Sequence, residues 1–375
     1  MNKYLKRVTN DRALATLVLS VIFSLAAGVV GALLVLANNP TGPLVIEAVT
    51  VPRAALSVTR IQANRLEATD SALRAAVLIF EDKGQSKSGN LMYVGSEAVG
   101  SGLILTSDGW VVTHESAVPN LDGLAYVALV GGSLYPVEDV VVDEYSGAVF
   151  FKVPAGNLSV AAFAGRGTEQ EVGDQLFAFD SAGGVRNLTV VDVETAPVTG
   201  VKDLVWSSES LNRFLLCDSE FGLLPGSMVM NEKGEVIGVT ADEESDDLFV
   251  VPSGEFVEVV DEVFRGRGAQ RPYMGVNYLD LSEPAAMTDE SLPRQGALLS
   301  ASIDGKAPAI IKFSPAAEAN LREGDIIVSV NGELISGRRT LSEVIATYFP
   351  GMNVTLGVQR RGVDISVNLT LGEKP

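Results

Sequence analysis

Two residue types that often serve in nucleophilic catalysis, histidine and cysteine, are rare in this sequence. There is one histidine, His114, and one cysteine, Cys217. Cys217 begins the stretch CDSEFGLLPGSMVMNEKGEVIGV, which also contains Ser219 and Ser227. A hydroxyl or thiol becomes an efficient nucleophile when a positioned base takes its proton. A Ser–His or Cys–His pair is therefore one hypothesis. The alternative is a structural or surface histidine and a cysteine that packs as a small apolar core residue.

The elements that would position these groups are short strands. From Ala75 to Val260 the apolar runs are brief and rich in β-branched residues, and Gly, Asp and Asn separate them. This pattern indicates an antiparallel barrel or sandwich. Residues 59–80 read as a helix, and GEFVEVVDEVFRG predicts an amphipathic helix that closes the region. The basic, glycine-rich stretch RGRGAQRP that follows indicates a domain boundary.

Composition excludes several classes of function. The chain has 375 residues, of which 47% are hydrophobic and 20% charged, so it is globular and long enough for two or three domains. The net charge of −19 disfavours nucleic-acid binding. A single cysteine permits no intramolecular disulfide. The sequence predicts no cofactor and no metal site, since its densest acidic run lacks the spacing of a calcium loop.

The N-terminal part predicts a membrane anchor. Residues 1–12 carry four basic residues and should remain cytoplasmic, whereas residues 13–37 form an uncharged apolar run. A run of this length can cross a bilayer as a helix, which needs about 20 residues. A cleaved signal peptide is the alternative, but its apolar region would be shorter. Residues 38–74 are predicted to form a linker that includes a helix.

Several blocks in the right order resemble the HtrA family of extracytoplasmic serine proteases. They are GSGLILTSDGWVVTHESAV, DEYSGAVFFKV, VGDQLFAFD and NEKGEVIGV. The resemblance implies a mainly β fold, with a trypsin-like double β-barrel over residues 75–265 and a PDZ domain over residues 271–375. It also implies that one transmembrane helix precedes these domains.

The resemblance fails at the positions of the catalytic triad. Aligning the blocks places Ser116 where the family has its histidine, Gly147 at the aspartate and Pro225 at the serine. Proline has no backbone N–H, so one donor of the oxyanion hole is also absent. These departures predict an inactive protein, a pseudoprotease.

A relocated catalytic site remains an alternative. Ser227 lies two positions beyond the expected serine, and His114 lies two positions before the expected histidine. His114 would reach Cys217 or Ser219 only through a rearranged loop, and no aspartate occupies the orienting position. An active serine-type endopeptidase is therefore the second hypothesis for function.

The PDZ part retains the motifs of the family. RPYMGVNYLDL resembles its carboxylate-binding loop and predicts peptide binding by Tyr273, Met274, Gly275 and Val276. Backbone N–H groups near Met274 and Gly275 would hold a peptide's terminal carboxylate while the peptide adds as a strand. The alternative is a PDZ domain that packs internally against the barrel. Asn320 stands where the family has a glycine, and we expect it to adopt the left-handed conformation.

The sequence thus favours a membrane-anchored HtrA-like protein that is catalytically inactive and binds peptide or protein C-termini. A non-catalytic subunit of an HtrA complex is a further alternative. The resemblance also implies a homotrimer or a mixed trimer.

Overall fold

The structure is a computed structural model that describes residues 73–84, 92–121, 125–165, 170–179, 184–193, 204–218, 223–244, 247–283, 292–337 and 339–374. All of these belong to the unit Ile61–Pro375. In these ranges, no helix has both the length and the apolar character needed to cross a bilayer. The predicted span, residues 13–37, lies outside the described residues, as do the segments 1–12 and 38–72.

The first region is a seven-stranded sheet with the order β5-β4-β1-β2-β3-β7-β6. Its strands are β1 (Ala76–Glu81), β2 (Gly100–Ile104), β3 (Trp110–His114), β4 (Tyr126–Val130), β5 (Ser133–Pro136), β6 (Glu138–Asp143) and β7 (Ala148–Lys152). A 3₁₀ turn, Glu115–Ala117, directly follows β3. The helix predicted over residues 59–80 is wrong at its end, because Ala76–Glu81 pairs with β2 and β4 instead.

The second region is a closed barrel with the order β11-β14-β13-β12-β8-β9. Its strands are β8 (Gln175–Phe179), β9 (Val185–Asp192), β11 (Leu215–Asp218), β12 (Met228–Met230), β13 (Val236–Glu244) and β14 (Asp247–Pro252). Two short helices follow, α1 (Ser253–Val257) and α2 (Val260–Phe264). The sequence predicted one helix here, but the chain instead forms two short helices that bury Phe256 and Val263 in the core.

The third region contains a seven-stranded sheet in which a strand from the middle of the chain takes part. Its strands are β10 (Val205–Ser207), β16 (Asn277–Asp280), β17 (Ala297–Leu299), β18 (Ile326–Val330), β19 (Glu333–Leu334), β20 (Asn353–Arg360) and β21 (Val363–Thr370). A separate pair joins β15 (Pro272–Tyr273) to β22 (Gly372–Glu373). The helices are α3 (Pro315–Glu318) and α4 (Leu341–Ala346).

Local sequence explains the ends of these two helices. Ser314 accepts a hydrogen bond from the Ala317 amide, and Pro315 occupies the first turn of α3. Thr340 and Glu343 form a capping box at the start of α4. Asn320 has φ 55°, so the left-handed conformation expected at this position is confirmed.

Candidate functional site

The three positions predicted to replace the catalytic triad, Ser116, Gly147 and Pro225, lie in loops that meet in the structure. Ser116 lies in the 3₁₀ turn after β3, and the Gly147 carbonyl accepts a hydrogen bond from the Glu115 amide at 2.8 Å. The carbonyl of Pro225 accepts one from the Ser101 amide of β2, also at 2.8 Å. A Cβ atom built on Gly226 would lie 3.2 Å from the His114 amide nitrogen, so the loop at Pro225 also lies against the end of β3.

His114 occupies the space beside the expected aspartate position. A Cβ atom built on Gly147 would lie 2.7 Å from His114 Nε2, which is closer than Cβ atoms approach other atoms. Gly147 has φ +70°, in the left-handed region. His114 Nδ1 lies 2.9 Å from Ser116 Oγ and accepts from the Ser116 amide at 3.3 Å. The ring is 7% exposed, and it lies where an orienting carboxylate would have to fit.

The backbone at Pro225 and the two residues after it offers no free N–H group to an oxyanion. Pro225 itself lacks an N–H group. The next two amides already have acceptors: Gly226 donates to the Thr240 carbonyl at 2.7 Å, and Ser227 donates to Thr240 Oγ1 at 2.9 Å. Oxyanion stabilisation needs donors aimed at the reacting oxygen. These amides instead fasten the loop to β13.

Two candidate nucleophiles of a relocated site, Cys217 and Ser227, are buried. Cys217 is 1% exposed and packs in the barrel core beside Leu248 and Val190. Burial raises the pKa of the Cys217 thiol to about 12, so the thiolate needed for attack is scarce. Ser227 is also 1% exposed, and Ser219 lies outside the described residues. The structure thus confirms Cys217 as a core residue.

The loop predicted to bind a carboxylate does bind one, from the chain itself. The amides of Met274 and Gly275 each donate to Glu209 Oε1 at 3.0 Å. The Val276 amide donates to Ser208 Oγ at 3.2 Å. Gly275 has φ +81°, and a Cβ atom there would lie 2.3 Å from Ser314 Cβ, which explains why this position needs glycine. The internal packing left open by the sequence is thus present at this loop.

Two family models match the chain. A trypsin-like peptidase domain covers residues 100–239, and a PDZ domain covers residues 272–371. Among curated proteins, the probable periplasmic serine endoprotease DegP-like of Chlamydia muridarum is 27% identical over 285 residues, or 74% of this chain and 54% of the relative. A protein of the same description from Hahella chejuensis is 26% identical, with 75% and 58% covered.

Solved structures agree with these matches. The HtrA-type protease AlgW with a decapeptide has a TM-score of 0.59 at 17% identity, and the alignment covers 83% of this chain and 99% of that one. A serine endoprotease from Yersinia pestis has a TM-score of 0.53 at 18% identity, with 83% and 98% covered. The chain belongs to the HtrA family. It spans little more than half the length of the curated relatives it matches.

Sequence reasoning missed the residues that join the two parts of this HtrA-family chain. Arg271 donates to both carboxylate oxygens of Asp143, from Nε at 3.0 Å and from Nη2 at 2.6 Å. It also donates to the Glu255 carbonyl, and its guanidinium lies 4.6 Å from the centre of the Tyr145 ring. Asp143 is fully buried and Arg271 is 6% exposed. This buried ion pair fixes the start of the PDZ domain against β6.

The sequence also gave no prediction for Glu209, whose negative charge affects the pKa of a tyrosine in the loop. The pKa of Tyr273 is raised by burial and, to a smaller extent, by the negative charge of Glu209. Glu209 lies 65 and 66 positions before the amides it contacts. The available signal was Trp206, an aromatic residue directly followed by the polar stretch SSES.

Proposed function

We propose that this HtrA-family protein is a pseudoprotease that binds peptide or protein C-termini through its PDZ domain. The proposed lack of protease activity is supported mainly by the loop at Pro225. The nucleophile position holds an imino acid, and the amides of Gly226 and Ser227 are bonded to Thr240. A nucleophile, a base and oxyanion donors are all needed for efficient acyl transfer.

Peptide binding is supported by the backbone of the loop Tyr273–Val276. Two successive amides already hold a carboxylate oxygen at hydrogen-bonding distance. PDZ domains bind peptides by this contact together with an added strand. AlgW, an HtrA-type protease of similar fold, has been solved with a decapeptide.

The proposed location is supported by the N-terminal sequence and by the relatives. The apolar run over residues 13–37 would anchor the chain in a membrane, with residues 1–12 in the cytoplasm and the rest outside. The curated relatives are named as periplasmic. A reporter enzyme that works only outside the cytoplasm should be active when it is fused after Pro375. Activity of a cytoplasm-specific reporter would contradict the anchor.

The proposal extends to assembly and to role. A homotrimer or a mixed trimer with an active HtrA protein would place the PDZ domain in extracytoplasmic protein quality control or signalling. Analytical ultracentrifugation of the detergent-solubilised chain tests the homotrimer, and co-purification with an active relative tests the mixed one. The proposed limits are 75–265 for the protease-like domain and 271–375 for the PDZ domain.

Inactivity is tested with unfolded casein and a fluorophosphonate probe. The full chain should neither cleave casein nor be labelled, whereas an active HtrA protease treated in parallel should do both. Restoring Ser116→His, Gly147→Asp and Pro225→Ser together should recover little activity. The reason is steric, because the Cβ atom at residue 147 would meet His114 Nε2 at 2.7 Å. Casein cleavage by the unaltered chain would refute the proposal.

An active endopeptidase with a relocated site is the second candidate. The observation that favours it is the 2.9 Å contact between His114 Nδ1 and Ser116 Oγ, which has the length of a serine–base hydrogen bond. If Ser116 is a nucleophile, Ser116→Ala abolishes probe labelling while Ser146→Ala, a change in a neighbouring loop, leaves it intact. If neither change matters because no labelling occurs at all, the contact is a cap of the 3₁₀ turn.

A further inference from the structure

The edge of the PDZ sheet next to the carboxylate loop is covered by the chain itself. Strand β10 lies between β9 and β11 in sequence, yet it pairs antiparallel with β16. The paired residues are Val205 with Leu279, Trp206 with Tyr278 and Ser207 with Asn277. A peptide ligand of a PDZ domain adds as a strand at such an edge. In this protein, β10 occupies that edge.

The direction of β10 is that of a bound peptide. Because the pairing is antiparallel, the C-terminal end of β10 lies beside the N-terminal end of β16, and the loop Tyr273–Val276 comes just before β16. The chain continues from β10 with the Ser208 amide donating to the Val276 carbonyl at 3.0 Å. The next residue is therefore delivered to the loop, as the last residue of a ligand would be.

That next residue supplies the carboxylate. Glu209 Oε1 accepts from the Met274 and Gly275 amides and from Ser208 Oγ at 2.6 Å. Oε2 accepts from Ser207 Oγ at 3.1 Å. Glu209 is 5% exposed, and a buried carboxylate is tolerated when its oxygens are hydrogen-bonded in this way. The side chain stands in for a peptide terminus.

An aromatic residue anchors the other end of the segment. Trp206 is 8% exposed and belongs to the core cluster of the PDZ domain. Its ring packs edge-to-face on Tyr278, with centroids 6.0 Å apart. Beyond Glu209, the Asn212 side chain reaches the Tyr278 hydroxyl at 3.0 Å and the Ser342 hydroxyl at 2.8 Å. The segment is thus seated along its whole length.

We infer that residues 205–209 are an intramolecular ligand of the PDZ groove, with which free peptides must compete. The inference deepens the proposed function and rests on it, since competition presupposes that the groove takes peptides. It also names the ligand class: an extended strand with an aromatic residue three positions before a carboxylate. A partner of this kind binds by displacing β10, and Glu209 is the residue that resists it.

The first test follows the loop amides by hydrogen exchange with mass spectrometry on the full-length chain in detergent micelles. Glu209→Ala should speed exchange in the peptide covering residues 273–276 by about tenfold or more, which corresponds to about 1.4 kcal/mol. Glu232→Ala, which removes the same charge from an exposed turn of the barrel, should leave that exchange unchanged. Glu209→Gln keeps the shape and one acceptor, so a smaller increase is expected. If Glu209→Ala does not fold, the exchange rate of Glu209→Gln is used for the test instead.

The second test measures binding of fluorescein-labelled Val-Trp-Ser-Ser-Val with a free C-terminus by fluorescence anisotropy. The probe should bind Glu209→Ala at least about tenfold more tightly than the unaltered chain or Glu232→Ala. Equal affinity for all three, with unchanged exchange, overturns the intramolecular ligand while peptide binding itself stands. Faster exchange in Glu209→Ala without binding of the probe to any variant supports the internal contact and counts against the proposed peptide-binding function.

Discussion

The cleft around Pro225 and the loop around Gly275 have changed in opposite ways. At the cleft, the proposed function keeps the fold without the catalytic residues: Ser116 and Gly147 lie close together at the positions predicted for the histidine and the aspartate. At the loop the chemistry is intact and the site is filled, because Glu209 occupies the two amides. If the proposed function is right, the fold has outlasted its catalytic residues, whereas the backbone binding site is kept and yet closed by a side chain.

A buried ion pair between Arg271 and Asp143 helps to join the protease-like and PDZ parts, and breaking it should have the largest effect. Arg271→Ala leaves the carboxylate of Asp143 buried and uncompensated, which should lower the free energy of unfolding by about 3–5 kcal/mol. Arg339→Ala breaks an exposed pair with Glu333 and should cost at most about 1 kcal/mol. Urea unfolding of both variants measures the difference. Similar costs would show that the protease-like and PDZ parts are not held together by Arg271.

The second prediction compares a glycine of the loop Tyr273–Val276 with a glycine in an open turn. Gly275→Ala must place a Cβ atom 2.3 Å from Ser314 Cβ at φ +81°, whereas Gly351→Ala meets nothing within 4 Å at φ +85°. Both changes carry the left-handed strain of about 1–2 kcal/mol. Gly275→Ala should cost clearly more than Gly351→Ala and should also weaken binding of the labelled peptide. Thermal unfolding and anisotropy measure the two effects, and equal stability loss would contradict the close approach.

Much of this comparison could be predicted from the sequence, because it rests on local patterns. Short β-branched runs indicated an antiparallel barrel or sandwich, and the resemblance of RPYMGVNYLDL to a PDZ motif indicated the loop. What could not be predicted rests on residues far apart in the chain. Arg271 lies in a stretch that reads as a domain boundary, and its partner Asp143 is 128 positions away. Glu209 lies in a polar loop in which no periodicity marks a strand.

Stability should also depend on pH through Glu255, near the joining ion pair. Burial, and after it the negative charge of Glu343, raise the pKa of Glu255 from 4.5 to about 7. Between these values the folded chain holds a proton that the unfolded chain has released, so stability falls as the pH rises from about 4.5 to 7. Since Glu255 keeps partial exposure, we expect a loss of about 1–2 kcal/mol.

Glu255→Gln should remove this part of the pH dependence. Urea unfolding at pH 5 and pH 8 gives the comparison, with Glu232→Gln as a control that changes an exposed turn. If the two variants show the same change in stability between these pH values, the raised pKa of Glu255 is wrong.

Removing the Ser227 hydroxyl should have the smallest effect of these changes. It also tests stability and nucleophilic reactivity separately. Its hydroxyl is buried and has no hydrogen-bond partner among the described residues. An unsatisfied buried hydroxyl costs free energy, so Ser227→Ala should leave stability unchanged or raise it by up to about 1 kcal/mol. The amide of Ser227 still bonds to Thr240 Oγ1, so the loop should keep its shape. Thermal unfolding measures the change in stability, and fluorophosphonate labelling measures whether the hydroxyl reacts as a nucleophile. A fall in stability would mean that the hydroxyl has a partner, and a loss of measurable proteolysis would mean that the cleft has kept a nucleophile after all.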